Sequence, residues 1–194
     1  MAGMLVLASA SPRRVEILRS AGIEFLHRPV EVPEQPFPGE TAPEHVLRLA
    51  RAKAEAAPLG EGEVVLGADT VVVVDGRILG KPADAAQARR MLSLLSGREH
   101  EVLTAICLRH RGGEVVDLES TRVRFAPLSE RDIVDYVASG EPMDKAGAYA
   151  IQGLAGRFID GIDGCYFNVV GLPIALVWRR LREIAAGGQI PAPG

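Results

Sequence analysis

Cysteine is scarce in this sequence, since Cys107 and Cys165 are the two cysteines among its 194 residues. Two cysteines this far apart do not form a zinc cluster or a disulfide framework. A chain of this length buries roughly 70% of the surface that its unfolded form exposes, so it can be stable without such cross-links. The sequence therefore predicts a protein of a reducing compartment, and we expect a cytoplasmic location.

A surplus of positive charge is also lacking. The 22 Lys and Arg residues are outnumbered by 25 Asp and Glu residues, which gives a formal net charge of -3. Proteins that bind nucleic acids or acidic membranes usually carry a basic surplus, so neither partner is expected. No apolar run of about 18 residues occurs, and residues 1–10 lack the basic start of a secretory signal. Any anion-binding site must therefore be formed by a small group of basic residues rather than by a basic surface.

Several familiar motifs are missing. The phosphate-loop pattern and the dinucleotide-binding fingerprint do not occur, and no serine lies in the context of a nucleophile elbow. The four histidines show no metal-ligand spacing, and we expect them to be ordinary surface or half-buried residues. These absences exclude the commonest nucleotide-binding and hydrolase templates.

Strand-like and helical segments alternate along the chain. With 47% hydrophobic and 24% charged residues, the composition is that of a globular protein. We predict a single domain over residues 1–186 and a flexible tail over residues 187–194. The predicted strands cover residues 4–8, 64–66, 70–74, 77–79, 101–109 and 114–124, and the predicted helices begin near residues 12, 42, 85, 130 and 173. This alternation predicts an α/β fold, and residues 142–171, which lack clear periodicity, are a first candidate for a functional segment.

The first predicted strand is followed by residues that suit a phosphate group. Ser9 and Ser11 offer hydroxyls, Arg13 and Arg14 offer guanidinium groups, and the next helix offers free N–H groups at its start. The same residues would also form an ordinary helix capped by Ser11 with two solvated arginines. The spacing alone leaves both interpretations open.

Asp69 gives a stronger signal because it lies among Val, Leu and Ala residues in a predicted sheet. A carboxylate is costly to bury there unless it is paired, protonated or bound to a metal ion, which favours a functional role. Lys81 lies between Gly80 and Pro82 and could be held as a phosphate ligand. A lysine beside a hairpin is more often simply exposed.

Six short motifs occur in a defined order along almost the whole chain. They are Leu-Ala-Ser-Ala-Ser-Pro-Arg-Arg (residues 7–14), Leu-Ala-Arg-Ala-Lys-Ala (49–54), Gly-Ala-Asp-Thr (67–70), Leu-Gly-Lys-Pro (79–82), Asp-Lys-Ala-Gly-Ala-Tyr-Ala-Ile-Gln-Gly (144–153) and Asn-Val-Val-Gly-Leu-Pro (168–173). In this order the motifs resemble those of the Maf family of nucleoside triphosphate pyrophosphatases. The Ala-Tyr-Ala-Ile-Gln-Gly string is similar to the branch that acts on dTTP and UTP, rather than the branch that acts on 7-methyl-GTP.

The resemblance implies a fold similar to that of the inosine triphosphatases. Such a fold has a central mixed sheet flanked by helices and two lobes around a cleft, commonly in a homodimer. The implied reaction is hydrolysis of the bond between the α and β phosphates of a nucleoside triphosphate, assisted by a divalent cation, Mg²⁺ or Mn²⁺. The products are the nucleoside monophosphate and pyrophosphate.

The resemblance also implies roles for particular residues. Asp69 matches the proposed proton acceptor, and Glu34 matches an acidic residue near the metal ion. The residues linked to substrate choice are Arg13, Thr70 and Gln152, and those lining the phosphate cleft are Ser9, Arg14, Lys53 and Lys81. Whether Asp69 is a general base or a metal ligand stays open, because a carboxylate suits both roles. The Gln152 amide has a donor and an acceptor, which match the N3–H and carbonyl groups of uracil or thymine.

Two other functions are compatible with the resemblance. The Maf name comes from an association with septum formation, so one alternative is a regulator of cell division that binds nucleotides with little turnover. The presence of the catalytic-type residues counts against it. The other alternative is an enzyme that removes modified pyrimidine nucleotides with the same site.

Overall fold

The computed structural model describes residues 3–188. The chain forms two compact units. Unit 1 consists of the residues up to Asp69, Thr104–Glu119 and the residues from Gly171 onward, and unit 2 consists of Thr70–Leu103 and Ser120–Val170. The predictions of a single domain and of a cleft between two lobes stay predictions. Gly187 and Gly188 form a turn, and the other residues of the predicted tail lie outside the described range.

The secondary structure is mixed. The strands are β1 Met4–Leu7, β2 Phe25–His27, β3 Glu63–Val74, β4 Arg77–Leu79, β5 Glu99–His110, β6 Gly113–Phe125 and β7 Ile159–Asp163. The helices are α1 Pro12–Ser20, α2 Ala42–Ala56, α3 Ala85–Leu95, α4 Glu130–Ala138, α5 Tyr166–Val170 and α6 Ile174–Ala186. Three 3₁₀ helices cover Glu141–Asp144, Ala146–Ala148 and Leu154–Phe158.

The seven strands form one sheet in the order β2-β1-β3-β5-β6-β7, with β4 also paired to β3. β1 runs parallel to β2 and β3, whereas the β3–β4 and β6–β7 pairs are antiparallel. The parallel register places Leu7 opposite Leu66, two residues before Ala68 and three before Asp69. The predicted α/β class with a central mixed sheet is therefore confirmed.

Three parts of the secondary structure differ from the prediction. The segments predicted at residues 64–66 and 70–74 form one continuous strand, because Gly67, Ala68 and Asp69 keep an extended backbone. β2 was not predicted, since its three residues are half-buried or exposed and its pairing with β1 comes from tertiary structure. Within residues 142–171 the chain forms short 3₁₀ helices, β7 and α5, which are too short to show a periodic pattern.

Helix starts are set by side-chain caps at most of the predicted positions. Thr41 and Glu44 form a reciprocal capping box at the start of α2, and Ser129 and Asp132 do the same for α4. Ser11 occupies the N-cap position of α1, but its side chain makes no capping hydrogen bond. Its N–H donates instead to Ser9 Oγ at 3.2 Å. The predicted capping role of the Ser11 hydroxyl is therefore wrong.

The core of unit 2 is a cluster of buried side chains from α3, α4 and the adjoining strands. His100, Phe125 and Tyr149 meet edge to face within it, with ring centroids 4.9–5.4 Å apart. In unit 1 the buried faces of α1, α2 and α6 are apolar, apart from Arg14, His45 and Lys53. None of the described helices is long and apolar enough to cross a membrane.

Candidate active site

A buried ion pair joins α2 to β3 in unit 1. The Lys53 ammonium donates to Asp69 Oδ1 at 2.7 Å, and both residues are 7% exposed. The same ammonium lies 2.6 Å from Glu34 Oε1, whose side chain is half exposed. Charged groups are buried this deeply only when they are paired. The structure thus brings together three residues that the resemblance assigns to phosphate or metal binding: Glu34, Lys53 and Asp69.

Gly67 allows α2 to lie unusually close to β3. A methyl group on Gly67 would lie 2.5 Å from the backbone nitrogen of Ala54 and closer still to the carbonyl oxygen of Ala50. Because Lys53 precedes Ala54 in α2, this close approach places its side chain beside Asp69.

Arg14 is buried and anchors the backbone around the ion pair. Its Nη1 donates to the carbonyl oxygen of Ala68 at 2.8 Å and to Ser9 Oγ at 3.0 Å, and its Nε donates to the carbonyl oxygen of Gly171 at 2.8 Å. Burial lowers the pKa of Arg14, and the negative charge of Asp69 opposes that effect. A guanidinium stays charged in proteins, so these are charge-assisted bonds that fix the peptide preceding Asp69.

A second polar cluster in unit 1 holds the loop that carries Glu34. Arg48 of α2 donates to the carbonyl oxygen of Gln35 at 3.1 Å and to both oxygens of the Glu40 carboxylate, and its guanidinium lies 4.0 Å from the centre of the Phe37 ring. His45 Nδ1 lies 2.9 Å from Glu40 Oε2. The hydrogen bond from Arg48 lowers the pKa of Glu40, so this carboxylate stays ionised. Sequence reasoning missed this cluster because no local spacing rule links a loop to a residue two turns into a helix.

The other predicted site residues are less buried. Arg13 is half-buried on α1 in unit 1, next to Arg14. In unit 2, Thr70 is half-buried on β3, while Lys81 and Gln152 are exposed. The N–H of Gly147 donates to the carbonyl oxygen of Gly80 at 3.1 Å, so the segments that lead to Gln152 and to Lys81 meet at this bond. The roles assigned to these four residues stay predictions.

Glu34 and Asp69 are suitable ligands for a hard divalent cation. Both carboxylates contact the Lys53 ammonium, Glu34 Oε1 at 2.6 Å and Asp69 Oδ1 at 2.7 Å, and carboxylate oxygens are ligands that a hard cation prefers. Among the described residues, no group of three or more His, Cys, Asp or Glu side chains could hold a metal ion. A cation at this pair would therefore take its remaining ligands from phosphate oxygens and water, as Mg²⁺ commonly does.

Burial makes two of the histidine and cysteine side chains, His100 and Cys107, poor catalytic groups. His45, His100 and His110 are buried, so the expectation that they lie at the surface or are half-buried is wrong for these three. Burial lowers the pKa of His100 to about 4 and raises the pKa of Cys107 to about 12. At neutral pH the former is therefore uncharged and the latter is a thiol, which is a poor nucleophile.

Comparisons with known proteins match almost the whole chain to one family. The family model described as Maf-like protein matches residues 4–184, and the chain belongs to this family. A dTTP/UTP pyrophosphatase of Citrifermentans bemidjiense is 54% identical over 188 residues, which cover 95% of this chain and 97% of the relative. A dTTP/UTP pyrophosphatase of Koribacter versatilis is 53% identical over 180 residues, which cover 92% and 93% of the two chains.

A solved structure shows the same fold at low sequence identity. The Ham1 protein of Staphylococcus aureus matches with a TM-score of 0.53 and 16% identity, covering 93% of this chain and 98% of that chain. This likeness concerns the fold alone.

Proposed function

We propose that this chain hydrolyses dTTP and UTP to the nucleoside monophosphate and pyrophosphate. The observation that carries the proposal is the identity of 53–54%, over nearly the full length, to relatives named dTTP/UTP pyrophosphatase. The buried Lys53–Asp69 pair with Glu34 beside it supplies chemistry that this reaction needs. The alternative of a nucleotide-binding regulator with little turnover is not favoured.

Asp69 is the residue that we assign to the reacting water. Its carboxylate would accept a proton from the attacking water or would serve as a ligand of the divalent cation. Lys53 holds one carboxylate oxygen at 2.7 Å, and Arg14 fixes the preceding carbonyl, so the group is positioned from two sides. A catalytic carboxylate on a central strand with such support is held in one orientation.

The phosphate groups require positive charge. A triphosphate brings about four negative charges near neutral pH, and the leaving pyrophosphate gains charge in the transition state. We propose that Arg13, Lys53 and Lys81 supply this positive charge. The hydroxyl of Ser9 would donate a hydrogen bond to a phosphate oxygen. Arg14 already donates to Ala68, Ser9 and Gly171, so its contribution includes holding Ser9 in place.

Glu34 and Asp69 would hold the divalent cation. When bound, Mg²⁺ or Mn²⁺ neutralises charge on the phosphate oxygens and polarises the phosphorus for attack. Lys53, which contacts both carboxylates, keeps them together before the cation and substrate arrive.

Replacing Glu34 with glutamine is expected to raise the Mg²⁺ concentration needed for half-maximal activity by about tenfold, since one ligand charge is lost, equivalent to about 1.4 kcal/mol. A Mg²⁺ titration of the hydrolysis rate measures this shift. Glu31→Gln is the matched control, because it makes the same change at an exposed position of the same loop. Equal Mg²⁺ requirements in both variants would contradict the assignment of Glu34.

The substrate class is tested by measuring pyrophosphate release from each common and modified nucleoside triphosphate. We expect dTTP and UTP to be preferred over ATP and GTP, because the Gln152 amide can pair with the N3–H and one carbonyl of uracil or thymine. Each reaction is run with EDTA, with Mg²⁺ and with Mn²⁺. Equal rates for UTP and GTP would overturn the proposed specificity, and a modified pyrimidine triphosphate that outcompetes UTP would identify a different physiological substrate.

We propose a homodimer, as the family resemblance implies, with the nucleotide as the ligand. We also propose a cytoplasmic location, because cysteine is scarce, and no nucleic-acid or membrane partner, because the chain has no basic surplus. Light scattering of the purified chain tests the dimer.

A further inference from the structure

Gln152 lies in a tight turn of unit 2 rather than in a helix or strand. The turn spans residues 150–153 and is closed by a hydrogen bond from the Gly153 N–H to the carbonyl oxygen of Ala150 at 3.0 Å. The side chain of Gln152 is exposed, whereas Ala150 on one side and Ala155 on the other are buried. The position of the Gln152 amide therefore depends on what holds the two ends of this turn.

Tyr136 holds the first end. Its side chain is fully buried at the end of α4, and its phenolic oxygen accepts a hydrogen bond from the Ala150 N–H at 3.1 Å. The same hydroxyl donates to Glu141 Oε1 at 2.7 Å. Burial and the hydrogen bond to Glu141 raise the pKa of Tyr136, so the hydroxyl keeps its proton and both bonds.

Glu141 holds the other end. Its Oε2 accepts from the Leu154 N–H at 3.1 Å, and its Oε1 accepts from the Ala155 N–H at 3.4 Å. The carboxylate thus bonds to both residues that follow the turn and, through Tyr136, is linked to the residue at its start. Hydrogen bonds to an ionised acceptor are roughly twice as strong as neutral ones.

Gly153 makes room for this carboxylate. A methyl group on Gly153 would lie 2.6 Å from Glu141 Cδ, a distance that real side chains do not adopt. These Glu141 atoms belong to the end of a flexible side chain, so an alanine at position 153 would displace the Glu141 carboxylate. The φ of Gly153, -110°, lies outside the left-handed region that favours glycine.

The entry to the turn is also fixed. Ala148 has a left-handed backbone with φ 60°, which is unfavourable for alanine and persists only where surrounding contacts impose it. These contacts include the Gly147–Gly80 backbone bond and the 2.8 Å bond between His100 Nε2 and the Tyr149 hydroxyl.

We propose that Glu141 and Tyr136 are positioning residues for substrate choice, which hold the Gln152 turn in the conformation that binds the pyrimidine base. The proposal rests on the proposed function and deepens it. In this proposal substrate choice depends on the Gln152 amide, which contacts the base, and also on the Glu141 carboxylate and the Tyr136 phenol, which act through the turn.

The experiment compares Glu141→Gln and Tyr136→Phe with wild type, using kcat and KM for UTP and for GTP. We expect the preference for UTP over GTP to fall about tenfold in each variant, mainly through a higher KM for UTP. A loosened turn weakens the hydrogen bonds between the Gln152 amide and the base, whose loss changes affinity by up to about tenfold. Amide hydrogen exchange supplies a second readout that needs no substrate. Exchange at Leu154 and Ala155 is expected to accelerate at least tenfold in Glu141→Gln, whose amide retains a single acceptor atom.

Asp132→Asn is the matched control. It weakens the capping box of α4, the helix that carries Tyr136, without touching the turn. If Glu141→Gln loses thermal stability as Asp132→Asn does but keeps the UTP preference and the slow exchange at Leu154, the proposal is overturned while the proposed function stands. If wild type itself has no preference for UTP, the proposed function has failed.

Gly153→Ala keeps the proposal testable if Glu141→Gln does not fold. Its added methyl group would displace the Glu141 carboxylate without changing Glu141 itself, so this variant should show the same loss of the preference for UTP over GTP. A folded Gly153→Ala protein with the full UTP preference would also overturn the proposal.

Discussion

Replacing Asp69 with asparagine is expected to lower turnover on dTTP and UTP by about 10² or more, because general-base catalysis alone contributes roughly 10² to 10⁴. Asparagine keeps the shape of the side chain and removes its charge. The remaining oxygen can still accept a hydrogen bond from Lys53, which also keeps Glu34 as a charged partner. We therefore expect the fold to persist with a loss of about 1–3 kcal/mol in the free energy of unfolding.

The measurement is turnover per folded molecule, together with the melting temperature. Asp75→Asn is a matched control, because it makes the same change in an exposed residue on the hairpin that follows β3. Asp75 has a left-handed backbone with φ 49°, which asparagine tolerates well. A stable Asp69→Asn protein with full activity would show that Asp69 is a buried structural acid and would defeat the mechanism.

A Mg²⁺ titration of the same variant separates the two chemical roles of Asp69. If Asp69 binds the cation, Asp69→Asn should need more Mg²⁺ for its residual activity, as we expect for Glu34→Gln. If Asp69 is the base alone, the Mg²⁺ requirement should stay that of wild type while turnover is lost.

The importance of Asp69 was predictable because a lone carboxylate in a run of β-branched residues is costly to bury without a partner. Its partner was not predictable from local pattern. Lys53 lies on the buried face of α2, where hydrophobic periodicity alone would favour an apolar residue, so its assignment depended on the family resemblance. The contact with Glu34 depends on a loop held by Arg48 and Glu40, and no rule of sequence spacing describes such tertiary anchoring.

The partners of residues 9–14 could not be predicted from the sequence, for a different reason. The sequence spacing was compatible with two serines and two arginines around one phosphate and with an ordinary capped helix whose arginines are solvated. In the structure the Arg14 guanidinium donates to carbonyl oxygens of Ala68 and Gly171, which are distant in the chain. A guanidinium binds a backbone carbonyl and a phosphate with the same donors, so composition could not distinguish these partners. The strands β2 and β7 escaped prediction for a related reason, since tertiary pairing rather than local pattern defines them.

Replacing Gly67 with alanine is expected to lower both the stability of the fold and turnover. The added methyl group would lie 2.5 Å from the Ala54 backbone nitrogen, and a central strand paired on both sides cannot move away. Helix α2 must therefore shift outward, which overpacked cores accommodate at a cost of about 1–3 kcal/mol. For a chain of this size, each kcal/mol lowers the melting temperature by about 2–4 °C.

The same shift should reduce turnover, because Lys53 moves with α2 while Asp69 stays on β3. A displacement of about 1 Å at a catalytic group can cost about 10² in rate. Gly80→Ala is the control for thermal stability, since its methyl group would meet open space. The double variant Gly67→Ala with Ala54→Gly removes the neighbouring side chain but not the backbone clash, so it should remain impaired. Full recovery in the double variant, or a Gly67→Ala protein with the melting temperature and turnover of wild type, would show that close backbone approach does not set the distance between Lys53 and Asp69.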